Sequence, residues 1–107
     1  ARVQEALAVG LEVDAKEVIT PALRETGMVL EALGHPGLAA EFWGAGEALA
    51  EITKAGIHTM ERRIYETAKD RARTALGPTF DARFELGRIE RIEDLVQKLE
   101  ATIGIGS

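Results

Sequence analysis

The chain has 107 residues, enough for one hydrophobic core and too few for two. Hydrophobic residues make up 46% and charged residues 29%, which excludes disorder, and no apolar run approaches the ~20 residues that span a bilayer. The lack of cysteine excludes disulfides and thiolate metal sites, and a net charge of −5 argues against direct nucleic-acid binding, which needs a cationic face.

Ala1 to Leu11 places Val3, Ala6, Leu7 and Leu11 at helical spacing. The sequence opens in mid-pattern, with no basic-then-apolar leader, and reads as an internal fragment of a protein from a reducing compartment, the cytoplasm. Asp14 and Glu17 form a capping-box pair ahead of a second helix that would bury Val18, Ala22, Leu23, Leu30 and Leu33. Pro21 either bends that helix or sits at its first position behind Thr20. Gly34-His35-Pro36-Gly37 is a stop and turn.

A third helix is predicted from Pro36 to Lys54, with Leu38, Ala39, Phe42, Trp43, Gly46, Leu49 and Ala50 inward and Gly56 ending it. A fourth starts near Thr59 and lays Met60, Ile64, Ala68, Ala72 and Leu76 on one face, until Gly77-Pro78 breaks it. A short fifth helix carries Phe80, Phe84 and Leu86 and stops at Gly87. A sixth carries Ile92, Leu95, Val96, Leu99 and Ile103. No segment alternates with period two, so the fold class is all-α, an array of antiparallel helix pairs.

Residues 20–53 resemble one tetratricopeptide repeat, a 34-residue helix-turn-helix. Gly27 stands at the small position of its first helix and Leu30 at the large one. Gly34 takes the turn, and Ala39, Trp43 and Gly46 take the small, large and final small positions of the second helix. Leu23 replaces a frequent Trp and Glu51 a frequent Pro. A narrower likeness runs through Gly34 to Leu49, then Arg73-Thr74-Ala75-Leu76-Gly77, Phe80, Phe84, Gly87-Arg88 and Glu93-Asp94-Leu95-Val96. Over residues 11–101 the chain resembles the C-terminal repeat region of bacterial LuxR/MalT/AfsR-type signal-transducing ATPase regulators. Arg91 departs from it, standing where a Ser or Thr cap is usual. The resemblance implies a tetratricopeptide-like array of about six helices, the last two, 79–87 and 91–103, being short capping helices. It also implies a protein-interaction or regulatory-sensing role inside a larger transcriptional or signalling regulator. The ligand would be a protein or another domain of the parent, with a small-molecule effector as a further candidate. A structural or homo-oligomerising segment is the alternative.

No catalytic constellation emerges. Ser107 is the sole serine, so a serine triad is excluded, and no Gly-rich phosphate loop is present. His35 and His58 flank opposite ends of one helix and read as turn residues rather than metal ligands. Glu61, Glu66, Asp70, Glu90, Glu93 and Asp94 read as solvated helix faces. No catalytic residue, cofactor or metal is therefore assigned. The candidate interaction surface is Phe42, offset from Trp43 by about 100°, together with Arg62, Lys69 and Arg73 from the basic cluster that also includes Arg63 and Arg71.

Overall fold

A computed structural model describes residues 16–53 and 59–103. Among these residues there are five helices and no strand: α1 (Lys16–Ala32), α2 (Pro36–Thr53), α3 (Thr59–Leu76), α4 (Thr79–Ile89) and α5 (Ile92–Ile103). The all-α class is thus observed. The helix expected over 1–11, the Asp14 cap, Gly56, His58 and residues 104–107 lie outside the described residues. None of the described helices is long and apolar enough to cross a membrane.

α1 continues through Pro21. The ring removes one backbone hydrogen bond, and the described helix carries on beyond it to Ala32. The end of α1 is closed at Gly34, whose φ of 89° is left-handed. His35 N–H donates to the Leu30 carbonyl at 2.8 Å and Gly34 N–H to the Glu31 carbonyl at 3.1 Å. This pairing satisfies carbonyls that the helix end leaves open, in a conformation that glycine adopts without steric cost. The His35 carbonyl then accepts the Ala39 N–H at 3.0 Å and Pro36 opens α2, where its missing N–H costs nothing.

α2 is the hub of the fold and packs against all four other helices. Its residues 38–46 are buried without interruption, over two and a half turns. A helix that is apolar on all sides, as Leu-Ala-Ala-Glu-Phe-Trp-Gly-Ala-Gly nearly is, has no solvent face to offer. Phe42, placed inward on this helix by its spacing but also offered as an interaction-surface residue, is accordingly fully buried and belongs to the core. Its 100° offset from Trp43 points it at another neighbour, not at water.

The α1–α2 pair packs as its small residues predict. Trp43 lies on Gly27, where a Cβ would sit 2.8 Å from the indole Cε2. The indole N–H donates to the Arg24 carbonyl at 3.3 Å. Gly46 faces Leu23 and Arg24 at ordinary contact distance, since a methyl there would stand 3.6 Å from either side chain. Gly46→Ala therefore adds helix propensity without a clash, and a gain of about 0.5–1 kcal/mol is expected in the urea midpoint. Leu30 and Ala39 are buried as expected, but Leu33 is 60% exposed because Gly34 ends the helix before its side chain reaches the core.

The second half departs from a repeated hairpin. α4 lies mainly on α2 and touches α3 less. The crossing is backbone on backbone. Gly44 faces the carbonyl of Phe84, and Gly87 faces the carbonyl of Glu41. The expected stop at Gly87 does not occur, and α4 continues to Ile89 because the glycine serves the crossing instead. Phe80 is buried and stacks on Phe84 with centroids 5.8 Å apart. α5 buries Leu95 and Leu99, with Ile92, Val96 and Ile103 partly covered, which is the stripe read from the sequence.

Candidate interaction surface

α3 owes its orientation to a stripe of Tyr65, Ala68 and Ala72, all buried, with Leu76 partly buried below them. Tyr65 meets Trp43 edge to face at 5.7 Å and donates its hydroxyl to Glu47 at 3.1 Å. Burial, reinforced by the Glu47 charge, pushes its phenol pKa above the ordinary range, so the hydroxyl remains a donor. With Tyr65 inward, Ile64 turns outward. The expected inward Ile64 is 60% exposed. Residues 64 and 65 compete for one register above the shared Ala68 and Ala72, and the larger ring, with a hydrogen-bond partner below it, takes the buried side.

The candidate basic residues divide into two sets. Lys69 is folded onto the aromatic surface, its Nζ 4.7 Å from the Tyr65 centroid and 5.6 Å from that of Phe84. It also pairs with Glu66 at 3.6 Å, as the spacing predicts. The Arg73 guanidinium covers Phe80 at 4.6 Å. These two cations act as lids over the core, a use that cation–π attraction rewards. Arg62 and Arg63 are exposed. The structure brings Arg63, Ile64, Thr67 and Arg71 together along one side of α3, where they border a shallow, open groove. Arg71 reaches to α1, where Glu31 accepts from its Nη2 at 2.7 Å and its Nε at 3.0 Å. So of the surface expected from the sequence, Phe42 belongs to the core, Lys69 and Arg73 cover it, and Arg62 lies beside the groove. Arg63 and Arg71 line it, and both stood in the basic cluster. Ile64 and Thr67 were not recognised, although choosing the Tyr65 register would have exposed both.

Glu90, expected on a solvated face, belongs instead to a buried polar cluster. Glu41 is buried within the apolar run of α2 and binds Lys98 of α5 at 2.7 Å and Arg83 of α4. Lys98 also binds Glu90, which lies between α4 and α5 and has a side chain only 10% exposed. Burial pushes the Glu41 carboxyl up, but the interactions with the Lys98, Glu90 and Arg83 side chains together outweigh it and hold the group below the usual carboxylate range. For Glu90 burial dominates, and with the nearby Glu41 charge it raises the pKa despite Lys98. The single carboxylate inside residues 38–46 was the available signal, since a charge in a fully apolar run must be paired. The cluster ties three helices together, Glu41 on α2, Arg83 on α4 and Lys98 on α5. Among the described residues no group of three or more His, Asp or Glu side chains is placed to hold a metal.

Comparison with known proteins finds no matching family model, no similar curated protein and no similar solved structure. The functional reading rests on the geometry above and on the sequence resemblance.

Proposed function

We propose that this chain is a protein-interaction and regulatory-sensing domain of a larger bacterial transcriptional or signalling regulator, working in the cytoplasm through the exposed side of α3. The observation that carries the interaction reading is the groove at Arg63, Ile64, Thr67 and Arg71. An aliphatic side chain 60% exposed between two arginines offers apolar contact area and orienting charge in one place. Nothing in the folding of α3 requires Ile64 to be isoleucine, since its neighbours Tyr65, Ala68 and Ala72 anchor the helix. The tetratricopeptide-like array comes from the resemblance at Gly27, Leu30, Gly34, Ala39, Trp43 and Gly46, which the close α1–α2 packing at Gly27 and Trp43 supports, and the regulator parentage comes from the likeness over Gly34 to Leu49, Arg73 to Gly77, Phe80, Phe84, Gly87-Arg88 and Glu93 to Val96. The reading assigns this chain no catalytic step.

A photo-crosslinking amino acid at Thr67, in the full-length protein within its native cell, tests the reading. A defined protein adduct is expected at Thr67, lost when Ile64→Glu is added, and absent when the crosslinker stands at the exposed Gln97 of α5. Equal, diffuse labelling from both positions would overturn it.

A further inference from the structure

Two charged residues are buried among the described residues, Glu41 and Arg24. Glu41 obeys the rule that a buried charge is paired, since Lys98 and Arg83 converge on it. Arg24 does not. It is 8% exposed, and no carboxylate among the described residues forms an ion pair with it. Its Nε is occluded and has no acceptor.

The side chain runs from α1 across α2 to α3. Its Cγ packs on Gly46, where a Cβ would stand 3.6 Å away. Its own carbonyl accepts the Trp43 indole N–H, so the backbone at Arg24 is pinned to α2. The guanidinium carbon lies 6.0 Å from the centroid of the Tyr65 ring on α3. Lys69 brings a second cation to the same ring at 4.7 Å. The carboxylates nearby are engaged elsewhere. Glu47 accepts the Tyr65 hydroxyl at 3.1 Å, Glu66 pairs with Lys69, and Glu31 is held by Arg71. Glu25, the next residue of α1, points to solvent.

A lysine or a carboxylate can escape the cost of burial by becoming neutral, but an arginine cannot. The cost therefore stays with the fold until an anion from outside it arrives. The N–H fork of a guanidinium matches the oxygens of a carboxylate or a phosphate. With only 8% of the residue open, the approach admits a single ionic group rather than a protein surface.

We infer that Arg24 anchors a small-molecule site at the α1–α2–α3 junction, which takes the carboxylate or phosphate group of an anionic effector. This rests on the sensing reading and names the chemistry of what is sensed; the α3 docking face is not needed for it.

Arg24→Met, similar in length and without charge, separates such a site from a charge that the chain itself neutralises. In chloride buffer the urea midpoint of Arg24→Met is expected to lie above that of the wild type. Inorganic phosphate and succinate, each at an ionic strength matched with chloride, are the probes. At least one is expected to raise the wild-type midpoint more than that of Arg24→Met, by an excess that grows with the logarithm of its concentration. The general salting effect of the anion is common to both chains and cancels in the difference. An excess with phosphate alone marks a phosphate-bearing effector, and one with succinate a carboxylate-bearing effector. Nitrogen-15 NMR of the wild type gives a second readout. The Arg24 Nε–H resonance, assigned with Arg24→Lys, is expected to move and saturate with the same anion. An Arg24→Met chain less stable than the wild type in chloride would show that the chain already meets the charge, and would overturn the inference. So would equal midpoint shifts in the two chains, or an Nε–H resonance that neither anion moves. None of these outcomes bears on the Thr67 adduct, which tests the α3 face by itself.

Discussion

Gly87→Ala is expected to lower the unfolding free energy by about 3 kcal/mol, at the upper end of what overpacking a core costs. The reason is what the new methyl would meet. A Cβ on Gly87 would stand 2.6 Å from the carbonyl carbon of Glu41 and closer still to its oxygen. Both atoms are backbone inside α2, whose residues 38–46 are locked by neighbours on every side. A flexible side chain could swing away, but a helix backbone cannot, so α4 itself must lift. Lifting it draws Phe80 out of the core and Arg83 from Glu41. Gly44→Ala on the opposing helix meets the carbonyl carbon of Phe84 at 3.0 Å and the amide nitrogen of Arg88 at 3.1 Å, and is expected to be similarly costly. Alanine is the better helix former at both places, so propensity alone predicts a gain. Urea midpoints of the two variants, set beside Gly46→Ala, separate the effects. Loss at Gly44 and Gly87 with none at Gly46 is expected. Equal behaviour at all three would show that the α2–α4 crossing is looser than these distances imply.

That contrast also marks what the sequence could tell. The helices 36–53, 59–76 and 92–103 were legible because each carries its own punctuation: Gly34 with Pro36, Gly77 with Pro78, and a clean apolar stripe at Leu95 and Leu99. The contact between Gly27 and Trp43 was legible from one small and one large residue at repeat spacing. The partner of each helix face was not. Gly44 and Gly87 are far apart in the chain, and a glycine reads equally well as a stop or as a crossing. Their pairing exists only once the chain is folded. Phe42 was read as inward yet also offered as a surface residue for the same reason. A helix wheel divides a helix into an inside and an outside, whereas α2 has neighbours all round. At the groove the error was one of register, Ile64 against Tyr65, and a ranking by aromatic size decides it correctly. The arginines could be collected from the sequence as a basic cluster. Their division into core lids, Lys69 and Arg73, and groove walls, Arg63 and Arg71, depended on where Tyr65, Phe80 and Phe84 came to rest.

The buried carboxylates Glu41 and Glu90 are expected to respond to neutralisation with opposite signs. Glu41→Gln removes the anion that Arg83 and Lys98 converge on. Breaking a buried ion pair costs about 3–5 kcal/mol, but both cations are more than one-third exposed and recover part of their hydration. A loss of about 2 kcal/mol is the expectation. Glu90→Gln keeps the shape and adds an amide N–H donor beside Glu41, while Lys98 retains Glu41 as its partner. Because the fold raises the Glu90 pKa, it prefers the neutral group there, and a gain in stability is expected at neutral pH. The pH dependence follows from the same directions. The depressed pKa of Glu41 gives stability that is present above the ordinary carboxylate value of 4.5 and is lost as pH falls through the lower folded value. The raised pKa of Glu90 works in reverse. Between its folded value and 4.5 the folded chain binds the extra proton, so stability rises as pH falls through that window. Glu51 and Glu93, held low chiefly by the Arg88 hydrogen bond and by the backbone at Glu93 respectively, add to the acid-side loss in every variant and cancel in the differences. The advantage of Glu90→Gln over the wild type should therefore shrink on mild acidification, while the deficit of Glu41→Gln shrinks only at more acid pH. Urea midpoints followed across the acid range measure both. A Glu90→Gln chain less stable than the wild type at neutral pH would show that the Lys98–Glu90 pair outweighs burial, and that the two carboxylates act together as an anchor for α5.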